Sequence, residues 1–247
     1  MKKIIGIITS AVALTTIGLG ATCYANENNS MQNDMMQGKA QGNMMQSGMM
    51  QGKSQGTMMQ DGMKMHDMKA HCILGTAMRK LWDDHVSYTR EYIISNLANL
   101  DDKDAVAKRL LKNQDEIGAA IKPFYGSDAS KKLTDLLHEH IMLAADVVNA
   151  AKTNNSDTLK QAQQKWSANA DEIATFLSNA NPNWSKDDLA KMLNTHLELT
   201  TGEVTSRLKK DWNADIAFYD KGHTHMMMFA DYLTQGIVKQ FPEKFKK

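Results

Sequence analysis

The stretch that decides the fold is LTDLLHEHIMLAADVV, residues 133–148. Its apolar side chains recur at steps of three and four, which is the period of an α-helix. Further apolar residues at positions 141–145 widen the stripe until the middle of the predicted helix is apolar almost all round. A helix with this pattern is surrounded by other elements and not laid on a surface. We therefore expect residues 133–148 to form the centre of a helical bundle.

One polar residue, His140, interrupts this apolar stripe at the midpoint of the helix. Burying an imidazole without a hydrogen-bond partner costs about 1–3 kcal/mol. Groups on neighbouring helices must therefore bind the ring nitrogens of His140. The identity of those groups indicates the function of the core.

Five further stretches have the helical period, over residues 72–99, 102–122, 157–179, 185–209 and 213–241. Asp101-Asp102 is a predicted N-cap of the second helix, and Pro123 and Gly126 end that helix. Ser127-Asp128 opens the central helix, which runs to about residue 152. The fold class predicted from this pattern is all-α, an antiparallel bundle of five or six helices.

The number of helices depends on the last two stretches. Ser185 with Asp188 forms most of a capping box at the start of the fifth helix. No proline lies between Pro182 and Pro242, so the fifth and sixth helices could be continuous. We expect a break between residues 209 and 213.

Polar residues lie near the midpoints of all six predicted helices, on or beside the apolar lines. Helix midpoints have similar heights in an antiparallel bundle, so these side chains are expected to form one belt across the core. The belt is either a hydrogen-bonded network that fixes helix register or a set of imidazoles that converge on a metal ion or small ligand. Both interpretations stay open. The members are His85, Asn113, His140, Asn169, His196 and His223.

Several other residues are assigned from their position relative to this belt. His223 and Met227 are one helical turn apart and form a nitrogen–sulfur pair suited to copper. His138 and His225 lie two places from belt histidines and are expected to be solvated. The carboxylates expected to hold the belt imidazoles are those of Asp84, Glu139, Glu198 and Asp231.

The first 25 residues have the features of a secretory signal peptide. A basic start, MKK, precedes an apolar run over residues 4–20 and the small-residue sequence ATCYA, so cleavage is expected after Ala25. We therefore predict a periplasmic or secreted protein, with no membrane span after cleavage. Cleavage removes Cys23 and leaves Cys72, which is expected to be buried, a metal ligand or a link between two chains.

The charge of the chain excludes one class of partner. The formal net charge is +1, with 29 basic and 28 acidic residues. Removal of Lys2 and Lys3 with the signal peptide changes it to −1 (27 basic, 28 acidic). The sequence has no large basic patch of the kind that binds nucleic acid, so a nucleic-acid partner is not expected.

Residues 26–70 form a Met-rich tail, which precedes the bundle domain of residues 71–247. Twelve of the 19 methionines lie in it, and MMQGKAQGNMMQSG (35–48) is repeated as MMQGKSQGTMMQDG (49–62). The tail lacks aromatic and β-branched aliphatic residues and cannot bury enough surface to offset the entropy of ordering, so it is predicted to be disordered.

The thioethers of this tail are soft ligands that select Cu(I) or Ag(I) over hard cations. A low-complexity linker is the alternative, but methionine is an oxidisable choice where serine would serve. The candidate metal ligands of the tail are Met35, Met36, Met44, Met45, Met49, Met50, Met58, Met59, Met63, Met65, His66 and Met68.

Two parts of the chain resemble known groups of proteins. The segments LWDDHVSYTREYIIS, NQDEIGAAIKPFYG, LHEHIMLAADVVNAAK, NADEIATFLSNANPNW and DYLTQGIVKQFPEKF resemble an uncharacterised family of secreted bacterial helical-bundle proteins over about residues 78–245. That resemblance implies the fold and no activity. The tail resembles the Met-rich segments of periplasmic copper-resistance proteins, which implies copper as the cofactor.

Together these features favour a periplasmic or secreted metal-binding protein. The tail is expected to collect Cu(I), and the bundle is expected to hold a second site based on histidine. The alternative is a structural or interaction bundle of the cell envelope with no metal role. An enzyme is not expected, because the sequence has no nucleophile–base pairing, phosphate-binding glycine loop or metallo-hydrolase motif.

Overall fold

The protein was analysed as a computed structural model that describes the backbone of residues 65–246 and the side chains of residues 71–246. The candidate tail ligands from Met35 to Met63 and the predicted signal peptide lie outside the described residues. Five α-helices and one short 3-10 helix make up the described part. They are α1 (Met65–Ala98), α2 (Lys103–Lys152), α3 (Ser156–Ala180), α4 (Lys186–Leu208), α5 (Trp212–Gln240) and the 3-10 helix Pro242–Phe245.

The described part is an up-and-down antiparallel bundle, and the predicted all-α fold is confirmed. Helix α1 packs against α2 and α5, α3 packs between α2 and α4, and α4 packs against α5. The helices therefore form a closed ring around one main core. No strand is present between residues 65 and 246, and no helix in that part of the chain has the length and apolarity to cross a membrane.

Helix α2 consists of the two predicted helices, which meet at Gly126 without an intervening loop. It continues through Pro123 and bends at Gly126, where φ is 85° and ψ is 179°. A left-handed φ of this kind favours glycine, because any side chain at the position is strained. We call residues 103–125 α2a and residues 127–152 α2b. The two segments run antiparallel, so they occupy the two places predicted for separate helices.

The helix boundaries follow from local chemistry. The side chain of Asn155 accepts a hydrogen bond from the Thr158 N–H and caps α3, and Ser185 accepts from the Asp188 N–H and caps α4 as predicted. The predicted break before α5 is also confirmed, with Asp211 as the N-cap.

Three details of the sequence prediction are wrong. Asp102 occupies the N-cap position of α2 but makes no side-chain cap hydrogen bond. Helix α1 begins at Met65, so residues 65–70, predicted as tail, are helical. Met142 is 58% exposed, so the central helix has one open face.

Candidate functional site

Three histidines from three helices meet in the centre of the bundle. His85 of α1, His140 of α2b and His196 of α4 are between 2% and 4% exposed. The Nε2 atoms of His85 and His196 are 3.4 Å apart. The rings of His140 and His196 are stacked, with centroids 6.2 Å apart. We call these histidines and their amide and indole partners the histidine layer; the partners are Asn113, Gln114, Trp166 and Asn169.

The hydrogen bonds of His140 fix its tautomer. The indole Nε1–H of Trp166 donates to His140 Nε2 over 3.1 Å, so this nitrogen carries no proton. The proton of the neutral ring therefore lies on Nδ1, which donates to Asn169 Oδ1 over 2.8 Å. Asn169 in turn donates to the Leu136 carbonyl. Both ring nitrogens of His140 are satisfied, and neither lone pair is open to a ligand.

The pair formed by His85 and His196 is less completely satisfied. The Gln114 amide Nε2 donates its two hydrogens to the Leu110 carbonyl and Asn113 Oδ1 and lies 3.3 Å from His85 Nδ1, so one hydrogen is shared and this His85 nitrogen is an acceptor. The proton of His85 is then on Nε2 and points at His196 Nε2, which leaves the His196 proton on Nδ1. That Nδ1 and Gln114 Oε1 are buried and have no hydrogen-bond partner in the described part of the chain.

Burial keeps all three histidines neutral. It lowers the pKa of His85 to about 3, with a further contribution from His140, and that of His140 to about 4. The pKa of His196 is lowered well below its usual value, first by burial and then by the neighbouring His85 and His140. These are the directions expected for imidazoles that no carboxylate restores to the charged form.

The fourth predicted belt histidine, His223, does not join the layer. Its side chain is 36% exposed, and its Nε2 lies 2.8 Å from Asp83 Oδ1. The prediction failed because the first half of α5 is rotated relative to its apolar line, so that Asp215 is buried and Ile216 is 50% exposed. Met227, the predicted partner of His223, is partly buried against the core.

The two histidines predicted to be solvated have protein partners. His138 Nε2 lies 2.9 Å from Asp115 Oδ1, and its side chain is 40% exposed. His225 is partly buried and donates from Nε2 to the Met192 carbonyl over 2.7 Å. Both rings lie outside the histidine layer.

The carboxylates predicted to support the belt are not beside it. Asp84 pairs with Lys80 and Arg109, and Asp231 pairs with Arg79. Glu139 and Glu198 are exposed. Among the described residues, no carboxylate oxygen lies within 4 Å of a nitrogen of the three core histidines.

A second buried polar group was not predicted from the sequence. Arg90 of α1 bonds Glu203 of α4 at 2.6 Å and Asp215 of α5 at 3.0 Å, and Arg207 bonds Asp215 at 2.9 Å. We call these four residues the arginine cluster. Burial raises the pKa of Glu203 to about 7, with Asp215 adding to the rise and Arg90 opposing it. The position of Glu203 on the apolar line of α4 was the only signal of the cluster in the sequence.

The remaining predicted ligands lie at or beyond the edge of the described side chains. Met65, His66 and Met68 are in the first turns of α1, and their side chains lie outside the described residues. Cys72 lies in α1, and we assign it no metal role. Within the described part of the chain, no group of three or more His, Cys, Asp or Glu side chains could hold a metal ion.

No family model, curated protein or solved structure matches the chain. The functional argument therefore depends on the geometry of the histidine layer and on the sequence.

Proposed function

We propose that this chain is a periplasmic or secreted protein that binds a soft monovalent metal ion, with Cu(I) as the physiological candidate, and that it is not an enzyme. The proposal has two parts. The Met-rich tail collects the ion, and His85 and His196 hold an ion inside the bundle.

The 3.4 Å separation of His85 Nε2 and His196 Nε2 carries the proposal for the bundle. Imidazole nitrogens bind a metal ion such as zinc at about 2.0–2.1 Å, and two such ligands at a near-tetrahedral angle are about 3.4 Å apart. A linear arrangement of the same two ligands, which two-coordinate monovalent ions prefer, separates the nitrogens by about 4 Å, so a shared ion requires the two rings to move apart by roughly half an ångström. His140 is not included, because Trp166 already donates to its Nε2.

The uncharged surroundings of this pair favour a monovalent ion. No carboxylate contacts either ring within the described residues, so nothing there compensates the charge of a buried ion. The cost of burying an ion rises with the square of its charge, so a dication is disfavoured far more strongly than Cu(I) or Ag(I). Imidazole is also a suitable ligand for copper.

Metal binding requires a change of tautomer at His85. The Nε2 proton of the metal-free ring must leave and a proton must occupy Nδ1, so no net proton is released above the pKa of the ring. Gln114 Oε1, which has no partner in the described structure, can accept from that Nδ1–H once the amide group turns over. Turning the amide exchanges its bonds to Leu110 and Asn113 for a bond to the metal-ligating histidine.

The tail supports the same ion by independent chemistry. Its thioethers select Cu(I) and Ag(I), and its tandem repeat places several of them within reach of one ion. Its composition resembles that of the Met-rich segments of periplasmic copper-resistance proteins. A competition titration with a Cu(I) chelator tests this part, and unchanged uptake after replacement of the Met pairs by Leu would exclude sulfur ligation.

Titration of the full chain with Ag(I), a redox-stable substitute for Cu(I), tests the bundle site. We expect imidazole resonances of His85 and His196 to shift together at one equivalent beyond the capacity of the tail. His85→Leu and His196→Leu should each abolish the shift of the remaining histidine, whereas His138→Leu should have no effect. Helical content measured on each variant separates loss of the site from loss of the fold.

A second function is favoured by the complete hydrogen bonding of His140. Because both of its nitrogens are satisfied by Trp166 and Asn169, the histidine layer is also consistent with a network that fixes helix register in a structural or interaction bundle. In that case Ag(I) leaves every core imidazole resonance unchanged, even when the tail is saturated.

A further inference from the structure

A narrow pocket lies between the histidine layer and the arginine cluster. Helices α1, α4 and α5 line it, and its enclosed part has room for about one water molecule. His196 of the histidine layer and Glu203 of the arginine cluster both line the pocket, and Thr200 lies between them on α4. The pocket therefore borders one member of each buried polar group.

His196 supplies a buried donor to this pocket. Its Nε2 faces His85, which does not line the pocket, so the ring edge on the pocket side is the opposite one, which carries Nδ1. The proton of the neutral ring lies on this Nδ1, which is buried and has no hydrogen-bond partner within residues 71–246. A buried N–H group of this kind indicates that the pocket holds a water molecule in solution.

The pocket also offers acceptors for the hydrogens of such a water molecule. The Thr200 hydroxyl donates to the His196 carbonyl over 2.9 Å, so its lone pairs stay available. Glu203 accepts from Arg90 through Oε1, and its Oε2 accepts no hydrogen bond from the described residues. A water molecule that accepts from His196 can therefore donate both of its own hydrogens.

The geometry of α4 directs Glu203 towards His196. The two residues are seven positions apart, so they share one face of the helix and their Cα atoms are about 10 Å apart. Helical side chains tilt towards the N-terminus of their helix, which for Glu203 is the direction of His196. The carboxylate is therefore close enough for its charge to act on an ion beside His196.

We propose that a water molecule in this pocket connects His196 Nδ1–H to the Glu203 carboxylate, and that ionisation of Glu203 thereby raises the affinity of the His85–His196 pair for a monovalent cation. The proposal rests on the proposed function, because it assigns a regulator to the site described there. A carboxylate behind the second ring nitrogen is common in metal-ligating histidines, because it orients the ring and increases its basicity. Glu203 is a positioning residue in this role and does not contact the ion.

The charge of Glu203 changes in a pH range in which both ligands stay neutral. Burial raises the pKa of Glu203 to about 7, lowers that of His85 to about 3 and lowers that of His196 well below its usual value. Between about pH 6 and 8 the carboxyl group ionises and the two imidazoles do not titrate. The charged and titratable groups around Glu203 come from three helices: Arg90 of α1, Arg207 of α4, and Asp215, Tyr219 and His223 of α5.

The pH dependence of Ag(I) affinity tests the proposal on the full chain. A competing ligand of known affinity fixes the free Ag(I) concentration, so that uptake by the tail does not change it, and the imidazole resonances of His85 and His196 report binding. We expect the affinity of the wild type to rise about tenfold from about pH 6 to 8. Glu203→Gln should keep the affinity at its low-pH value throughout, and helical content measures the fold of this variant.

Two variants are matched controls. Glu198→Gln removes an exposed carboxylate of the same helix, and His223→Asn removes the partly exposed imidazole that lines the same pocket. Both should keep the tenfold rise. The water link has its own readout, because we expect an NMR cross-peak between His196 Nδ1–H and a bound water molecule in the metal-free wild type.

Several outcomes overturn the proposal. A wild-type affinity that does not change with pH removes the coupling while the buried site stands, and this result needs no variant to fold. Persistence of the rise in Glu203→Gln, or its loss in His223→Asn, assigns the pH dependence to another group. Absence of the water cross-peak removes the water link. Absence of any Ag(I)-dependent shift of the His85 and His196 resonances removes the proposed function of the bundle and the coupling with it.

Discussion

The histidine layer and the arginine cluster both bury polar side chains between α1 and α4, but they do so in opposite ways. The histidine layer is uncharged, and its rings exchange hydrogen bonds with amides and an indole. The arginine cluster, one to two turns further along both helices, has two guanidinium groups and two carboxyl groups. A neutral network costs little to desolvate, whereas a charged one is stable only while every partner is present.

This difference bears on which layer can take a ligand. In the arginine cluster the lone pairs of Asp215 are bonded by Arg90 and Arg207, so an added cation would have to displace a guanidinium group. In the histidine layer a cation needs a new tautomer at His85 and a turned Gln114 amide, which costs hydrogen bonds to Leu110 and Asn113 but breaks no ion pair. The neutral layer is therefore the one in which an ion can enter without breaking an ion pair.

The largest decrease in the free energy of unfolding is expected from removing one member of the arginine cluster. Arg90→Met leaves Glu203 and Asp215 with less compensation in a buried site and should lower the free energy of unfolding by about 3–5 kcal/mol. Urea denaturation at pH 7 measures this value.

Arg79→Met is the matched control for that variant. Arg79 also joins α1 to α5 through a bond to Asp231, but its side chain is 50% exposed. An exposed ion pair contributes about 0–1 kcal/mol, so the loss should be small. Equal losses in the two variants would show that burial does not distinguish the two ion pairs.

Acid should lower the free energy of unfolding because of the histidine layer. The pKa values of His85 and His140 are about 3 and 4 in the folded chain and near 6.5 when unfolded, so below pH 6.5 the unfolded chain binds protons that the folded chain does not. The stability from these groups is present above pH 6.5 and is lost as the pH falls. Between pH 7 and 5 we expect these two groups to lower the free energy of unfolding by about 4 kcal/mol before any opposing contribution, as measured by urea denaturation.

Glu203 acts in the opposite direction over the same range. Its pKa is raised from 4.5 to about 7, so its contribution is present below pH 4.5 and is lost as the pH rises towards 7. Glu203→Gln removes this offset and should make the acid-induced loss larger. A stability that rises on acidification in the wild type would mean that the charged layer dominates the response.

A smaller loss is expected from His140→Leu. The change leaves the Trp166 Nε1–H and the Asn169 amide oxygen without their partner, which costs about 1–3 kcal/mol in the free energy of unfolding. His138 lies outside the layer and its side chain is partly exposed, so His138→Leu should lower the free energy of unfolding by less than about 0.5 kcal/mol. A neutral effect of His140→Leu would show that the layer does not fix helix register.

The sequence predicted the histidine layer better than the arginine cluster, for a physical reason. A histidine on an apolar line, as at positions 85, 140 and 196, stands out because its neighbours at three and four residues are apolar. Asp215 and Arg90 do not stand out, because charged residues are normally exposed and only a specific partner on another helix can bury them. No pattern within one helix contains that partner.

The same cluster explains the error at His223. The apolar line of α5 is correct from Met226 to Ile237, where those side chains are buried. Before Met226, the ion pairs of Asp215 with Arg90 and Arg207 turn that residue into the core and leave Ile216 exposed. A tertiary interaction thus overrode the local pattern, and it left His223 partly exposed beside Asp83 and outside the histidine layer.

The bend at Gly126 has a consequence for how this sequence can vary. Because α2a turns directly into α2b, residues pair almost symmetrically about the bend: Asp115 contacts His138, and a Cβ on Gly118 would lie 1.9 Å from Thr134 Oγ1. The height of His140 in the core is therefore set by counting residues from Gly126. One inserted residue here would shift α2b by about 1.5 Å and rotate it by about 100°, which carries His140 away from Trp166. Insertions should be accepted in the exposed connections at residues 99–102 and 209–211 and rejected at the bend.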